Sequence, residues 1–288
     1  MIDLIRNILS VLLIWGILLF ISFILSFTSI DYQGVSLVYI MTIIVVLIQI
    51  IFYFHSYLFK TELLFDFIGS ISFISLMAIG LIFTVSLDFN KVLISLLLFL
   101  WTSRLGLFLL IRRIKAKKDV RLQKYLETPS KLFVLWNMQA IWVILSSLPI
   151  IAVLTSESTN TFGLIEWGGF LVWLVGFLIE ILADNQKRNF KINNPSRFIN
   201  TGLWAYSRHP NYLGEILIWV GFTIISIRYL NGASLVALIS PIFVFILLRF
   251  ISGVPQLESI ASERWGNDEK YQYYKSKVGL LFPKLFND

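Results

Sequence analysis

Eight stretches of roughly 20 apolar residues follow one another along the chain, near 5–28, 36–58, 63–87, 91–111, 132–154, 162–184, 212–229 and 233–251. A helix rises 1.5 Å per residue, so about 20 such residues cross the ~30 Å hydrocarbon core of a bilayer. The pattern predicts an all-α polytopic membrane protein with about eight transmembrane helices. Composition agrees: 57% of residues are hydrophobic and 14% charged, where a soluble domain carries roughly a quarter charged residues. No polar block is long enough to form a separate soluble domain. The first run is too long for a signal-peptide core and is read as a retained helix. The seventh run is short and contains Glu215.

Several chemistries are excluded at once. The chain has no cysteine, which removes disulfides, thiolate metal sites and cysteine nucleophiles. Its two histidines, His55 and His209, do not make a multi-histidine metal cage. The net charge of +7 has an explanation other than nucleic acid. With the N-terminus inside, eight spans return the C-terminus to the same side. The inner loop 112–131 then carries Arg112, Arg113, Lys115, Lys117, Lys118, Arg121, Lys124 and Lys131. The next inner loop holds Lys187, Arg188, Lys191, Arg197 and Arg208, and further basic residues lie in the tail. The opposite side holds only Lys91 and Arg228. Such asymmetry predicts cytoplasmic termini and contact with anionic lipid headgroups, with no nucleic acid partner. A bacterial inner membrane fits this pattern. Trp136, Trp142, Tyr206 and Tyr212, at run ends, read first as interfacial aromatics.

Ionisable groups inside a span cost at least a few kcal/mol on insertion scales, so each needs a partner, water or a function. Asp66, Arg104, Glu180, Asp184 and Glu215 are such groups. Glu180 and Asp184 are four apart, as are Asn211 and Glu215, so each pair shares a helix face. Two acid-bearing faces joined by a basic loop make a polar mouth. The alternative is structural, with these acids pairing with Arg188, Lys191 or Arg208 to hold the loop. Asp66 and Arg104, on adjacent runs, read either as a buried ion pair or as a polar floor for a substrate head group.

The segment from Gly202 to Glu215 concentrates a guanidinium, an imidazole, a carboxamide, two phenols and a carboxylate around Pro210. Pro210 suits the first turn of a helix. That would leave the amides of Asn211 and Tyr212 near a helix N-terminus, where anions bind, with Arg208 able to add bidentate contacts.

This segment, with Glu180, Asp184-Asn185-Gln186-Lys187 and Phe190-Lys191 before it, resembles the C-terminal domain of the steroid 5α-reductase family and its bacterial relatives. The resemblance runs from about Asp66 to the end, including Trp101-Thr102-Ser103-Arg104 and Tyr274-Lys275-Ser276-Lys277. It implies a seven-helix reductase-like core with an extra N-terminal helix. Residues 1–60 would form N-terminal transmembrane helices, and 61–288 the catalytic domain. It also implies an NADPH-dependent reductase that saturates a C=C bond of a lipid drawn from the bilayer.

Carried over residue by residue, Glu180, Asp184, Asn211 and Glu215 match acidic and amide positions that contact the nucleotide. Lys191 and Arg197 match basic positions near its phosphates. Arg188, Tyr206, Arg208, His209 and Tyr212 complete the expected cofactor-binding set. Asp66, Trp101 and Arg104 are the expected catalytic set. Asp66 falls where the family places a Glu that hydrogen-bonds a substrate carbonyl, and Trp101 where steroid reductases carry a Tyr. An indole donates one hydrogen bond but is not a phenolic acid.

The Arg-His-Pro-x-Tyr-x-Gly core is shared with the isoprenylcysteine carboxyl methyltransferases, which use S-adenosylmethionine. That is the alternative class. A non-enzymatic lipid-binding protein is a third. No Gly-x-Gly-x-x-Gly follows a strand, so a Rossmann crossover is not expected.

Overall fold

The computed structural model describes residues 2–116, 122 and 125–284. Four basic residues of the first inner loop, Lys117, Lys118, Arg121 and Lys124, lie outside them. The chain is an all-α polytopic membrane protein; among the described residues, seven helices are long and apolar enough to span, and a bent pair makes up to an eighth. It divides into two compact units.

The first unit comprises Met1–Glu166 and Ile225–Ser240. Its helices are α1 (Ile2–Ser26), α2 (Leu37–Phe59), α3 (Phe65–Phe83), α4 (Phe89–Ala116), α5 (Pro129–Ser146) and α6 (Leu148–Leu154). A short hairpin joins α1 to α2, pairing Asp31–Tyr32 with Val35–Ser36. Its two turn residues, Gln33 and Gly34, both have positive φ, as the two-residue turn that matches strand twist requires.

Lipid is as apolar as leucine, so burying side chains between helices gains little there, and packing and interhelical hydrogen bonds hold the bundle instead. Ser22 and Thr42 link α1 to α2 at 2.8 Å. Gln49 reaches Ser72 of α3 at 2.7 Å, and Trp15 of α1 reaches Asn137 of α5 at 2.6 Å. Gln139 of α5 donates to the Phe65 carbonyl at 2.9 Å. Exposed leucines and phenylalanines such as Leu12, Leu13, Phe20 and Phe54 cover the outer faces, where hydrocarbon is the solvent.

The span expected at 132–154 is a bent pair, α5 and α6 meeting at 57°. Pro149 lies in the first turn of α6. Its ring removes an amide donor and crowds the preceding turn, so the helix turns there.

The two basic residues expected on the far side are both engaged. Lys91 is fully buried. Its ammonium donates to the Ser86 carbonyl at 2.6 Å, the Ser156 carbonyl at 2.7 Å and the Ser86 hydroxyl at 2.9 Å. Arg228 lies 3.1 Å from Glu166. Asp88 caps the Lys91 amide and accepts from the Asn160 amide and the Tyr229 hydroxyl. Loops distant in sequence are thus tied at one end of the unit.

The second unit comprises Trp167–Ile224 and Pro241–Asp288. It contains most of α7 (Leu164–Asn193) and α8 (Pro210–Ser226). Beyond the 3₁₀ stretch at Gly232–Ile239, which belongs to the first unit, come α9 (Ser240–Ile246), a π turn at Leu247–Ile251, α10 (Val254–Trp265) and α11 (Glu269–Lys277). Gly253, at φ +64, makes the break before α10. The apolar run expected at 233–251 therefore ends in a π turn, and an amphipathic helix follows it.

Candidate functional site

Helices α7 and α8 touch backbone to backbone. A Cβ added at Gly214 would stand 2.6 Å from the Gly176 carbonyl and 2.8 Å from the Glu180 amide nitrogen. One added at Gly221 would stand 2.6 Å from the Trp173 amide. Only glycine permits this approach, the way small residues bring membrane helices close. The crossing sets the two acid-bearing faces side by side. Glu180 and Asp184 are buried, and both carboxylates act electrostatically on Glu215.

The connection from α7 to α8 is folded against α7 by hydrogen bonds. Gln186 accepts from the Leu203 amide at 2.9 Å, and its side chain fills the space that a Cβ at Gly202 would need. Gly202 has φ +63, which other residues adopt at a cost. The Trp204 indole donates to the Ala183 carbonyl at 3.0 Å, and the Tyr274 hydroxyl donates to the Trp204 carbonyl at 2.6 Å. Burial pushes the Tyr274 phenol above its ordinary range. The Lys187 ammonium lies over the Trp204 ring at 4.6 Å.

Lys191 donates to the carbonyls of Pro195 and Arg197, at 3.2 and 2.6 Å. This shapes the loop and places a positive charge at its neck. Arg188, Arg197 and Tyr206 are exposed.

The Ser207-Arg208-His209 segment is pinned from the tail. The Arg208 amide donates to the Gly279 carbonyl at 2.9 Å, in a parallel bridge between Ser207 and Gly279. Pro210 opens α8, as expected for a residue without an amide proton. The Tyr212 and Leu213 amides donate to the His209 carbonyl at 3.1 and 3.2 Å. The Tyr212 amide, expected to be available to an anion, is therefore spent inside the chain. The Tyr212 ring stacks on the His209 imidazole, centroids 5.7 Å apart and planes 12° apart.

The partner of Arg208 and His209 is Glu258 of α10, which sequence reasoning did not single out. Its Oε2 lies 2.6 Å from Arg208 Nη1, and its Oε1 lies 2.9 Å from His209 Nε2. Of the three bases weighed as loop partners for the acids, Arg208 binds Glu258 and Lys191 binds carbonyls. The only available signal for Glu258 was an acid in the first two turns after the last span, preceded by Gly253 and Pro255. A lone acid in a mixed-charge tail does not stand out.

Among the described residues, three buried polar atoms here have no protein partner: Arg208 Nε, His209 Nδ1 and Asn211 Oδ1. Buried polar groups are nearly always paired, so such atoms mark a place for a ligand or water. Burial lowers the His209 pKa below its ordinary value, and the Lys187 and Arg208 charges add to this, against the opposing pull of Glu258.

In the first unit, Asp66 sits in the first turn of α3 and is half-buried. Trp101 is fully buried, edge-on to Phe73, two turns further along α3. The Arg104 guanidinium lies over the Phe108 ring at 5.1 Å. Close to Asp66 in sequence, Glu62 pairs with Arg113 at 2.6 Å. Among the described residues, no three His, Cys, Asp or Glu side chains are grouped to hold a metal ion.

Comparison with known proteins bears on this arrangement. A family model described as Protein of unknown function (DUF1295) matches residues 51–278. An Uncharacterized protein C594.04c of Schizosaccharomyces pombe is 28% identical over 175 residues, 53% of this chain and 49% of the relative. The 3-oxo-5-alpha-steroid 4-dehydrogenase 1 of Macaca fascicularis is 31% identical over 120 residues, 41% of this chain and 40% of the relative. The Protein-S-isoprenylcysteine O-methyltransferase of Saccharomyces cerevisiae is 35% identical over 85 residues, 30% of this chain and 32% of the relative. The chain thus spans half or less of the length of the curated relatives it matches. No solved structure matches. With the model covering well over half of its length, the chain belongs to the DUF1295 family, which is the steroid 5α-reductase-like family.

Proposed function

We propose that the protein is an NADPH-dependent membrane reductase that saturates a C=C bond of a lipid. The observation that carries this reading is that Arg208, His209 and Asn211 each keep a buried polar atom with no partner among the described residues, in the segment leading into Glu215, on whose carboxyl Glu180 and Asp184 act. These residue types fit a nucleotide. Carboxylates and a carboxamide oxygen accept from sugar hydroxyls and amide groups, and the cations Arg188, Lys191 and Arg197 attract phosphates.

Bound NADPH would supply a hydride with its electron pair, the chemistry that no side chain of this chain carries. The α7–α8 crossing holds the backbones that carry the acids in register. The 194–206 connection is tied down by Gln186, Trp204 and Tyr274. On the substrate, the resemblance assigns Asp66 to hydrogen-bond a carbonyl, a task that requires its proton. It also assigns Trp101, fully buried against Phe73, and Arg104, whose guanidinium lies over Phe108, to the substrate side. The basic inner loops support a bacterial inner-membrane location with both termini cytoplasmic, in contact with anionic headgroups.

The match to the isoprenylcysteine methyltransferase favours a second reading, an S-adenosylmethionine-dependent methyltransferase. Titration of the purified full-length chain in detergent separates the two. The expected result is enhanced nicotinamide fluorescence on adding NADPH, no response to S-adenosylmethionine, and weaker NADPH binding in a folded Glu215→Gln variant. Binding of S-adenosylmethionine without NADPH would overturn the reductase reading. Mass spectrometry of copurifying lipids would then identify the substrate class.

A further inference from the structure

Glu258 lies 49 residues beyond His209, yet one carboxylate holds both basic side chains of the motif. Its Oε2 accepts from Arg208 Nη1 at 2.6 Å, and its Oε1 faces His209 Nε2 at 2.9 Å. A guanidinium at that distance keeps the carboxylate ionised, and an ionised carboxylate only accepts. The proton on the imidazole is therefore on Nε2. The ring is 6% exposed and stacked on Tyr212, and turning it over in its plane would set a carbon where Nε2 meets Glu258 and break that bond.

A second proton on the ring is disfavoured. The groups facing His209 are Glu258 from α10, Lys187 from α7 and Arg208 beside it, and burial dominates their combined effect in favour of the neutral form. A neutral ring protonated at Nε2 carries a bare lone pair at Nδ1. That atom is buried, and nothing among the described residues donates to it. Two residues on, Asn211 Oδ1 is also a buried acceptor without a donor.

We infer that Glu258 is a positioning residue. By gripping Arg208 and His209 with one oxygen each, it fixes the Nε2–H tautomer and leaves Nδ1 as an acceptor for an N–H or O–H group of the bound ligand. The ligand chemistry is donor-rich: a primary carboxamide, an exocyclic amine or a sugar hydroxyl. A phosphate, which offers only acceptors at neutral pH, does not suit that nitrogen. The tautomer follows from the geometry alone, whereas the ligand half rests on the proposed nucleotide site.

Nitrogen-15 NMR of histidine-labelled full-length chain in detergent tests this. With only two histidines, a His55→Asn background leaves the His209 signals alone. At about pH 7.5, above the ordinary histidine range, the expected spectrum has protonated Nε2 and bare Nδ1. Glu258→Gln should mix the tautomers and weaken NADPH binding about tenfold, the scale of one lost hydrogen bond to a charged or buried partner. Glu258→Asp should recover part of both. A ring protonated at Nδ1 in the wild-type chain overturns the inference without any variant, and so does a Glu258→Gln spectrum identical to wild type. Absence of NADPH binding by the wild-type chain, with the expected tautomer intact, sinks the proposed function and the ligand half while the positioning role of Glu258 stands.

Discussion

Gly214 of α8 rests on the backbone of Glu180 in α7, with room for a hydrogen but not a methyl group: a Cβ would lie 2.8 Å from the Glu180 amide nitrogen and 3.0 Å from the Glu180 Cβ. The two acidic faces meet because glycines stand where the helix backbones cross. Gly214→Ala should push the helices apart at a cost of about 1–3 kcal/mol, typical of overpacking a tight contact. NADPH affinity should fall more than thermal stability in detergent, since Glu180 and Glu215 lose their register. Equal affinity at reduced stability would show the crossing to be structural only.

Gly202 combines a left-handed backbone with a neighbour in the way. At φ +63, a Cβ would lie 2.5 Å from Gln186 Oε1. Gly202→Ala should cost about 1 kcal/mol for the backbone, and more as Gln186 is displaced from the Leu203 amide. Faster protease cleavage within 194–206 is the expected readout, with a smaller change in melting temperature.

His209 makes stability depend on pH in one direction. In the unfolded chain it titrates near 6.5, and in the folded chain lower. Between those values the unfolded state binds more protons, so folding is disfavoured as pH falls. The contribution is complete above about 6.5 and is lost as pH drops from there toward the folded value, by at most about 1.4 kcal/mol per pH unit. Thermal melts in detergent should show this slope, and His209→Gln should flatten it.

Lys91 is buried among oxygens of Thr84, Ser86 and Ser156. Lys91→Met keeps the length of the side chain but strands two carbonyls that its ammonium satisfies. A loss of about 2–4 kcal/mol is expected, as for leaving buried acceptors unmade around a removed charge. NADPH affinity should hold, because no oxygen that binds Lys91 belongs to the proposed nucleotide site.

The class of the protein was legible from the length and spacing of its apolar runs, since crossing a bilayer imposes a minimum length that any reader can measure. The runs expected at 36–58 and 233–251 correspond to Leu37–Phe59 and to Gly232 onward. The acids at Glu180, Asp184 and Glu215 stood out because a charge in a span is costly. Family membership was likewise written in the Arg208-His209-Pro210 segment. Partners distant in sequence were not legible. An acid such as Glu258 in a mixed-charge tail has many eligible bases, and only folding chooses among them by bringing α10 to the motif. The Gly176–Gly214 contact was equally hidden, because a glycine in an apolar run looks the same whether it faces lipid or another backbone. Local periodicity determines which segments enter the membrane, while pairing between segments depends on packing that only the folded chain settles.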